Sequence, residues 1–502
     1  MPVIKEPELK SLLSSPPLPP FAKKLEGYFV DKNVTGYLVG GVVRDALLNK
    51  TNTDIDIALN GDTHAIGTDL AKLFDGTLIV LDELRKIVRV SMGTKDGVID
   101  LKPIEGPDIY RDLSCRDFTV DAMAIPIPVP NGNWNTSGLI DPHNGTVDLK
   151  NGVIRALSQS VFDNDPARLL RAPRLAAQLG FHIDMETALL IRNHANMLTQ
   201  VSSERIRDEF LGLLSQPEVS NSLRELDRLG LLYLIIPELS DTQGVSQPKE
   251  HHWDVFEHLI ESAGHVETLL LPQSPDQHRL RKSMPLFDGS EEHFALDISD
   301  GHNRLTMLKL AGLLHDIAKP ATKTIEQSGK IRFLGHPQMG AEMSKEILSR
   351  LRVSGKGVDF VGRMVKHHLR PSQMAQAGEL PTSRAVYRYY RELGDVGIDN
   401  LYLNMADYLA ARGPQLEIKD WNAHCRVIGH ILYEGLKPSG PKRLPKLIDG
   451  KELMEVFSLA PGPQLGSLLE LVRESQASGE VGSKKEAISL IRIELNAGGS
   501  SA

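Results

Sequence analysis

The sequence predicts an α+β fold in which an α/β head with a small sheet precedes a long all-helical region. From Gly36 onward, short apolar runs have the length of strands: GYLVGG, DIDIAL, GTLIVLD, IVRVSM and GVIDL. VRDALL and HAIGTDLAKLF lie between them with helical spacing. After Ser160 strand signals nearly vanish, and apolar residues recur at helical intervals.

Composition indicates a globular protein of several domains. The 502 residues are 41% hydrophobic and 24% charged, and 57 basic against 65 acidic side chains give a net charge of -8. This balance excludes a uniformly basic nucleic-acid coat but allows a local basic stripe. Two cysteines favour a reducing compartment. Because neither a signal peptide nor a run of about 18 apolar residues is apparent, we expect a cytoplasmic protein without a membrane partner.

Changes in composition and apolar periodicity along the chain predict five segments. A polar stretch rich in Gly and Pro at 269–303 interrupts the helices and is interpreted as an insertion or mobile loop. SSPPLPP at 14–20 is typical of an extended spacer, and KPSGPKRLPK at 437–446 is either a basic patch for RNA phosphates or a linker. The segments are an N-terminal extension (1–30), the head (31–150), a helical neck (151–240), a helical domain (245–425) and a helical tail (426–502).

The stretch LVGGVVRDALL predicts a strand that runs through two glycines into a helix. Gly40 and Gly41 allow the backbone N–H groups of the helix start to approach a phosphate closely, and Arg44 adds a positive charge. A tight turn with no ligand is the competing interpretation, since glycines before a helix are common.

Two aspartates follow on the next predicted strand. Asp54 and Asp56 occupy alternate positions of DIDIAL and therefore point to one face, where they repel each other unless a cation joins them. Mg²⁺ bound to carboxylates and substrate phosphates supplies such a cation. Asp100, in GVIDL, lies on a later strand and is a candidate third ligand. An exposed acidic strand edge is the alternative.

Together these motifs resemble the class II nucleotidyltransferases, the family of tRNA CCA-adding enzymes and bacterial poly(A) polymerases. LVGGVVRDALL with DIDIA resembles the active-site signature, and CRDFTVDAMAI the second motif. LIDPHNGTVDLKNGVIRAL, NDPARLLRAPRLAAQLGF and ERIRDEF resemble the three motifs that follow, in family order. Because the agreement is collinear over about 31–214, it is far more specific than any single motif.

The resemblance implies roles for individual residues of the head and neck. Asp54 and Asp56 would bind catalytic Mg²⁺, with Asp100 as the third carboxylate. The incoming nucleotide would be bound by Gly40, Gly41, Arg44, Arg116 and Asp117, and its base would be read by Asn164, Asp165 and Arg168. A carboxylate acceptor beside an arginine donor suits cytosine and adenine, which both present an amino donor and a ring-nitrogen acceptor.

Helix chemistry supports this placement in the neck. Asp165 is predicted as an N-cap and Pro166 as the first helical residue, which would hold the reading groups at a fixed helix start. Arg168, Arg171 and Arg174 recur every three residues and form a stripe along one side, interpreted as nucleotide-binding. A solvated helix face is the alternative. Pro173 falls inside this helix and should kink it.

Three positions depart from the family pattern. Asn164 stands where the family usually has an acid, Asp121 where it usually has Asn, and Cys115 where an arginine often precedes Arg116. An amide still accepts a hydrogen bond, so Asn164 is compatible with base recognition. The departure bears on whether addition follows the order C, C, A.

A second set of polar residues lies on successive predicted helices: HHWDVFEHLI, LAGLLHDIAKP, FLGHPQMGAEM, VKHHLRP and NMADYLAAR. The ordered set resembles the HD phosphohydrolase domain, which binds divalent metal and activates water. The resemblance implies a first metal of unidentified type on His258, His315, Asp316 and Asp407. His336 and His368 would allow a second one. Structural histidines of a helical core are the alternative.

The sequence thus predicts an enzyme that adds CCA to the 3′ end of tRNA from CTP and ATP, with an attached HD domain. A poly(A) polymerase or an enzyme adding only CC or only A is the nearest alternative, although the net charge of -8 and LLHDIAKP argue against poly(A) synthesis. A metal phosphohydrolase with an N-terminal half reduced to RNA binding is a further alternative. The intact pair Asp54 and Asp56 argues against it.

Overall fold

The structure, a computed structural model, divides into two compact units, residues 1–205 with 228–234 and residues 206–227 with 235–502. It describes residues 22–50, 52, 54–92, 97–127, 138–271, 274–375, 379–437 and 444–498. The spacer predicted at 14–20 lies outside these ranges, as does most of the basic stretch at 437–446.

The first unit opens with the head, whose strands and helices match the sequence prediction from Gly36 onward. The observed elements are α1 (Ala22–Asp31), β1 (Gly36–Val39), α2 (Gly41–Leu47), β2 (Asp54–Leu59), α3 (Thr63–Leu73), β3 (Thr77–Asp82), β4 (Ile87–Ser91), β5 (Val98–Pro103), α4 (Ile109–Ser114), β6 (Ala124–Ile127), α5 (Gly145–Asn151) and β7 (Val153–Ile154).

The six longer strands form one sheet in the order β3-β4-β5-β2-β1-β6. Only β2 and β5 run parallel, and the other neighbours are antiparallel. The parallel register places Asp56 directly opposite Asp100. Ile55, Ile57 and Ile99 are buried on the same strands, so the two aspartates lie on the opposite face from the apolar core.

Helix α1 packs into the core of the head. Leu25 and Phe29 are fully buried, and a Cβ built on Gly36 would lie 2.6 Å from the Phe29 ring. The structure therefore places the second part of the expected extension 1–30 with the head. Gly36 is required at the start of β1 because any side chain there would displace the ring.

Helices of the neck follow, with one short strand. They are α6 (Val161–Asn164), α7 (Arg168–Leu179), β8 (His182–Ile183), α8 (Met185–His194), α9 (Ser203–Leu214), α10 (Val219–Arg228) and α11 (Leu232–Ile235). The predicted N-cap at Asp165 is wrong by two residues, since α7 begins after Ala167. Residues 165–167 instead form turns, in which Arg168 and Leu169 donate to the carbonyls of Asp165 and Pro166. The helix then continues through the buried Pro173.

The second unit is mostly helical. Its main elements are α12 (Val255–Leu270), α13 (Pro275–Arg281), α14 (Ser290–Ala295), α15 (Arg304–Leu314), α16 (Lys319–Thr322), α17 (His336–Arg350), α18 (Gly355–His367), α19 (Arg370–Met374), α20 (Ser383–Leu393), α21 (Gly397–Arg412), α22 (Ile418–Leu436), α23 (Gly450–Phe457), α24 (Pro463–Ala477) and α25 (Lys484–Gly498). Two hairpins pair β9 (Asp297–Ser299) with β10 (His302–Asn303) and β11 (Lys323–Ile325) with β12 (Ile331–Phe333).

The described part of the 269–303 segment forms helices and a hairpin rather than an irregular loop, and its interpretation as an insertion stays a prediction. Helix α13 starts at a capping box in which Ser274 and Gln277 satisfy each other's backbone N–H groups. Met284 and Phe294 are buried, and the Phe294 ring packs edge-on against Tyr402 of α21 at 4.9 Å. Burial of these two side chains stabilises a polar stretch whose sequence shows little helical periodicity.

None of the helices in the described residues is both long enough and apolar enough to cross a bilayer. Both cysteines, Cys115 and Cys425, are free thiols.

Candidate active site and candidate metal centre

Three aspartates meet at the ends of β2 and β5 in the head. Asp54 and Asp56 project from alternate positions of β2, and Asp100 faces Asp56 from β5. Asp56 is exposed to solvent on the polar face of the sheet. Desolvation by the surrounding protein and then repulsion from Asp100 raise its pKa. Two carboxylates held this close, one of them with a raised pKa, are suited to a divalent cation.

Two cations that the sequence analysis did not identify line the same site. Arg89 on β4 donates from Nε and Nη2 to the two oxygens of Asp100, at 2.7 and 2.8 Å. Lys102 lies two residues beyond Asp100 on β5, with Nζ 3.2 Å from Asp112. Burial and the nearby Arg116 lower the pKa of Lys102. The alternation of Asp100 and Lys102 along one strand was a signal for the lysine.

The glycine pair lies against the carboxylate site. Gly40 has a φ of 75°, a conformation that favours glycine, and a Cβ built on it would lie 2.9 Å from Arg116 Nη1 and 3.6 Å from Asp56 Oδ2. A side chain at Gly41 would meet the Arg44 guanidinium at 3.3 Å. The two glycines therefore leave the backbone at the start of α2 without side chains where it faces Asp56 and Arg116.

Arg116 and Asp117 each have partners on neighbouring elements. Arg116 donates to Asp112 Oδ2 at 3.1 Å from Nη2, and its Nη1 is 3.4 Å from the carbonyl of Asp121. Asp117 is buried, and its Oδ2 lies 3.1 Å from Arg171 Nε. Arg171 of the neck helix α7 is therefore joined to the second motif of the head.

Arg44 is buried, with only 5% of its surface exposed. Its Nε donates to Asp45 Oδ1 at 2.8 Å and its Nη1 to Asp121 Oδ1 at 2.7 Å. Burial opposes its charge, but the adjacent Asp121 and Asp45 raise its pKa overall. Asp121, one of the departures from the family pattern, is thus the counter-ion of a buried arginine. A triphosphate contact for Arg44 stays a prediction.

The base-reading candidates lie around the turn between α6 and α7. Asn164 is exposed at the end of α6, and Asp165 accepts from the Ala167 N–H at 3.2 Å and from Arg205 Nη2 at 2.8 Å. Partial burial opposes ionisation of Asp165, but the Arg205 hydrogen bond lowers its pKa. Arg168 donates to the carbonyls of Val161 and Cys115 at 3.3 and 3.4 Å.

The three arginines of the predicted stripe have different partners in the structure. Arg168 contacts backbone carbonyls and Arg171 contacts Asp117, whereas Arg174 donates to Gln178 at 3.2 Å one turn further along α7. Arg168 and Arg171 therefore face the second motif of the head. Arg174 lies on the same helix with a local partner.

The second unit contains a compact cluster of histidines and aspartates. His258 Nε2 lies 3.2 Å from His315 Nε2, 3.3 Å from Asp316 Oδ2 and 3.2 Å from Asp407 Oδ1. These four residues come from α12, the end of α15 and α21. Their ligand atoms all lie within 4.8 Å of one another. The structure brings together the whole set predicted for a first HD metal.

A second group shares Asp316. His336 Nε2 and His368 Nε2 lie 3.1 and 3.5 Å from Asp316 Oδ1, and all three atoms are buried without hydrogen-bond geometry. Burial opposes ionisation of Asp316, but Lys319 and His315 hold its pKa well below the usual range. Orphaned buried imidazole and carboxylate atoms facing one point fit a divalent metal.

Lys319 is a further buried residue of this centre that the sequence analysis did not select. Its Nζ lies 2.5 Å from Asp316 Oδ2 and 2.6 Å from Gln247 Oε1, and it faces the Phe333 ring at 5.4 Å. Its spacing from Asp316, one helical turn, was the available signal.

Three family models match the chain. The model described as the poly A polymerase head domain covers residues 36–155. A second, described as a probable RNA and SrmB-binding site of polymerase A, covers 180–242, and the HD domain covers 292–412. His258 therefore lies outside the matched HD range although it joins the cluster.

Curated relatives match over almost the whole chain. An A-adding tRNA nucleotidyltransferase of Deinococcus radiodurans is 34% identical over 485 residues, covering 95% of this chain and 97% of the relative. A CC-adding tRNA nucleotidyltransferase of Thermus thermophilus is 31% identical over 456 residues, covering 89% and 91%.

Solved structures share the fold. A CCA-adding enzyme in complex with CTP gives a TM-score of 0.62 at 21% identity, covering 99% of this chain and 100% of that one. A Thermotoga maritima CCA-adding enzyme complexed with tRNA gives 0.58 at 20% identity, with the same coverage.

An acidic site on a small mixed sheet, followed by helices and a His/Asp cluster, defines a nucleotidyltransferase head joined to an HD domain. Both domains imply divalent metals, and the two His/Asp groups of the HD domain have the ligand geometry to bind them. With the full-length similarity to curated relatives, the chain belongs to the tRNA nucleotidyltransferase family of enzymes.

Proposed function

We propose that this chain adds the CCA sequence to the 3′ end of tRNA, without a template, from CTP and ATP. The RNA 3′-hydroxyl loses its proton and bonds to the α-phosphorus, and the bond to pyrophosphate breaks. The observation that carries this proposal is the placement of Asp54, Asp56 and Asp100 on adjoining strands beside the bare helix start at Gly40. The full-length relatives, named as A-adding and CC-adding tRNA nucleotidyltransferases, support the substrate class.

We assign the metal at this site as Mg²⁺ on Asp54 and Asp56, with Asp100 as the third carboxylate. When bound, Mg²⁺ neutralises phosphate charge and makes the hydroxyl a better nucleophile. The protein's own groups bind and orient the triphosphate. Gly40 and Gly41 leave room for phosphate oxygens at the backbone, and Arg116 adds a cation 2.9 Å from the position of a Gly40 Cβ.

The sugar and base are assigned to the groups at the start of α7. Asp117 is fixed beside the second motif, with Oδ2 3.1 Å from Arg171 Nε and Oδ1 accepting from the Phe118 N–H at 3.0 Å, and we assign it to the sugar. Asp165 supplies a carboxylate acceptor and Arg168 a donor, with Asn164 exposed beside them. Arg174 is assigned to nucleotide binding on the same helix. This donor and acceptor pattern suits cytosine and adenine.

Partial addition, of A alone or of CC alone, is a second candidate. It is favoured by the names of the two relatives above, neither of which is named as adding all three nucleotides. The chemistry at the three aspartates is the same in each case. The extent of addition depends on which base and which primer end the neck accepts.

The deciding experiment offers the purified protein and Mg²⁺ three tRNA transcripts, ending at the discriminator base, at C and at CC. Each receives labelled CTP or ATP, and products are resolved to single nucleotides. Addition of CCA followed by a stop supports the proposal, whereas CC alone or A alone supports the second candidate. A long A tail would indicate a poly(A) polymerase.

The variant Asp54→Ala tests whether the chemical step depends on the proposed metal ligand. It should lower addition by about 10³-fold or more, because one metal ligand is lost from the reacting centre. Glu83→Ala, an exposed acid of the same domain, should leave the rate unchanged. Substantial activity of Asp54→Ala would refute the assignment.

For the HD domain we propose divalent-metal phosphoester hydrolysis as an additional activity. The shared ligand Asp316 and the buried, unpartnered Nε2 atoms of His336 and His368 support two metal positions there. Release of inorganic phosphate from nucleoside monophosphates, and ring opening of 2′,3′-cyclic phosphates to monophosphates, compared between the intact protein and Asp316→Asn, test this activity. Cytoplasmic location is part of the same proposal, in keeping with two free thiols.

A further inference from the structure

Asn52 joins the start of β2 to the preceding helix. Its Oδ1 accepts from the Asp54 N–H at 2.8 Å, and its Nδ2 donates to Asp45 Oδ2 at 2.8 Å. One amide side chain therefore contacts both the backbone of a metal-ligand candidate and a carboxylate of α2. No sequence motif singled out this residue.

The contact continues into the buried centre of the head. Asp45 uses its other oxygen, Oδ1, to accept from Arg44 Nε at 2.8 Å, and Arg44 Nη1 donates to Asp121 at 2.7 Å. Arg44 and Asp121 are only 5% and 2% exposed. Charge-assisted hydrogen bonds between buried groups have few alternative geometries, so the series is rigid at its inner end.

Asp54 needs such support because it is the first residue of its strand. Strand β1 pairs with Ile57, Ala58 and Leu59 in the described residues, so this antiparallel pairing ends before Asp54. On the other side, Asp54 is in register with Val98, the first residue of β5. The strand end that carries the candidate ligand is therefore paired more sparsely than its middle.

We propose that Asp121, Arg44, Asp45 and Asn52 form a positioning relay that fixes the backbone of Asp54 and so the direction of its carboxylate. This inference rests on the proposed nucleotidyltransfer function. It gives Arg44 and Asp45 a role within the protein, and it gives Asp121 the role of anchoring the relay from the second motif. None of the four is a catalytic residue in this scheme.

A purely local turn is the competing explanation. An Asn side chain accepts readily from the N–H two residues ahead, and this needs no partner at Asp45. Asn52→Asp separates the two explanations. It keeps an acceptor for the Asp54 N–H but removes the donor to Asp45 and places two carboxylates together.

The sharpest test exchanges the two side chains. In Asp45→Asn with Asn52→Asp, the amide at 45 can accept from Arg44 and donate to the carboxylate at 52, which still accepts from Asp54. The hydrogen bonds and the total charge are both restored with donor and acceptor reversed. A structural defect unrelated to this pair would not be rescued by the exchange.

Variants Asn52→Ala, Asn52→Asp, Asp45→Asn and the exchanged double variant are compared by kcat for the first nucleotide added and by half-saturating Mg²⁺. We expect each single variant to lose about 10-fold to 100-fold in kcat and to need more Mg²⁺, because a small misplacement of a reacting group is costly. The double variant should return to within about 3-fold of the original protein.

Hydrogen exchange of the segment containing Asp54 gives a readout independent of catalysis. Protection should fall in the three single variants and return in the double variant. An active Asn52→Asp with an inactive Asn52→Ala would overturn the relay in favour of the local turn. A double variant no better than its parents in either readout would also overturn it. If the original protein adds no nucleotide, the proposed function fails, and exchange alone still decides the relay.

Discussion

Arg89 and Asp100 lie opposite each other on β4 and β5, and the guanidinium donates to both carboxylate oxygens, from Nε at 2.7 Å and from Nη2 at 2.8 Å. Hydrogen bonding to Asp100 raises the pKa of Arg89, with further contributions from Asp100, Asp54 and Asp56 charges. The Arg89 guanidinium therefore neutralises part of the negative charge of the acidic site.

Removing this cation should shift the pH dependence of addition. In Arg89→Gln, the acidic site loses a positive neighbour, so the already raised pKa of Asp56 should rise further and a higher pH is needed to ionise it. We therefore expect the acidic limb of kcat/KM to move to higher pH at fixed Mg²⁺. Arg85→Gln, on the same hairpin with its side chain 80% exposed, should leave the limb in place. A limb unchanged or moved to lower pH in Arg89→Gln would contradict the prediction.

Asp56 should reduce stability while supporting activity. Desolvation by the surrounding protein and repulsion from Asp100 raise its pKa in the folded protein, so the folded state binds the proton more tightly than the unfolded state. The ionised carboxylate therefore costs stability at neutral pH, and the cost disappears as pH falls through the folded pKa. Without Mg²⁺ at pH 7.5, Asp56→Asn should raise Tm by about 1–2 °C.

The same variant should lose nucleotide addition, and its Tm advantage should shrink as the pH falls toward the ordinary carboxyl pKa or when Mg²⁺ is present. Thermal unfolding at two pH values, with and without Mg²⁺, measures this. Glu83→Gln, an exposed acid, serves as the control and should show no such pattern. A lower Tm for Asp56→Asn at neutral pH would show that the carboxylate is stabilising, contrary to expectation.

Local sequence patterns predicted most of the head and both clusters of candidate ligands. Alternation along DIDIAL was sufficient to place Asp54 and Asp56 on one face, because side-chain direction in a strand has a period of two. The cluster of His258, His315 and Asp407 followed from residue order in the HD resemblance and is present in the structure.

Features that depend on strand register, or on partners distant in the sequence, could not be predicted from local sequence patterns. The pairing of Arg89 with Asp100 follows from which residues face each other across β4 and β5. The start of α7 differs from the prediction because residues 165–167 form turns before the helix, and the contact of Asp165 with the distant Arg205 has no local sequence signal. Helices in 269–303 depend on burial of residues such as Phe294 against the HD helices.

Base recognition should depend more on Asp165 than on Asn164. Asp165 is ordered by Arg205 and by the Ala167 N–H, and its pKa is lowered, whereas Asn164 is exposed at the end of α6. Asp165→Asn should lower kcat/KM for CTP and ATP by about 10-fold, since a charge-assisted acceptor becomes an amide. Asn164→Asp, which restores the acid usual in the family, should stay within about 3-fold of the original rate.

Steady-state addition with each nucleotide, and misincorporation of GTP and UTP, measure this difference. The exposed Asp163, immediately before the pair, offers the control variant Asp163→Asn. Equal losses in Asp165→Asn and Asp163→Asn would indicate a general effect on the turn. A large loss in Asn164→Asp would show that the amide itself is required at that position.

The HD centre should bind metal independently of nucleotide addition. Asp316 is 2% exposed and shared by both groups of ligands, so Asp316→Asn removes a charge from each. We expect elemental analysis of the protein after incubation with Mn²⁺ or Ni²⁺ and desalting to show at least one bound ion in the original protein. The variant should retain about one tenth as much or less, as loss of a charged ligand weakens such sites strongly.

Addition of nucleotides to tRNA by Asp316→Asn should stay within about 3-fold, because the aspartates of the head carry that reaction. His278→Asn replaces an exposed histidine of α13 and should keep both metal and activity. Because Asp316 Oδ1 and the Nε2 atoms of His336 and His368 are buried and unpartnered, chelation should also lower the Tm of the original protein more than that of Asp316→Asn. Equal metal content in the original protein and Asp316→Asn would show that the cluster is a structural core of histidines.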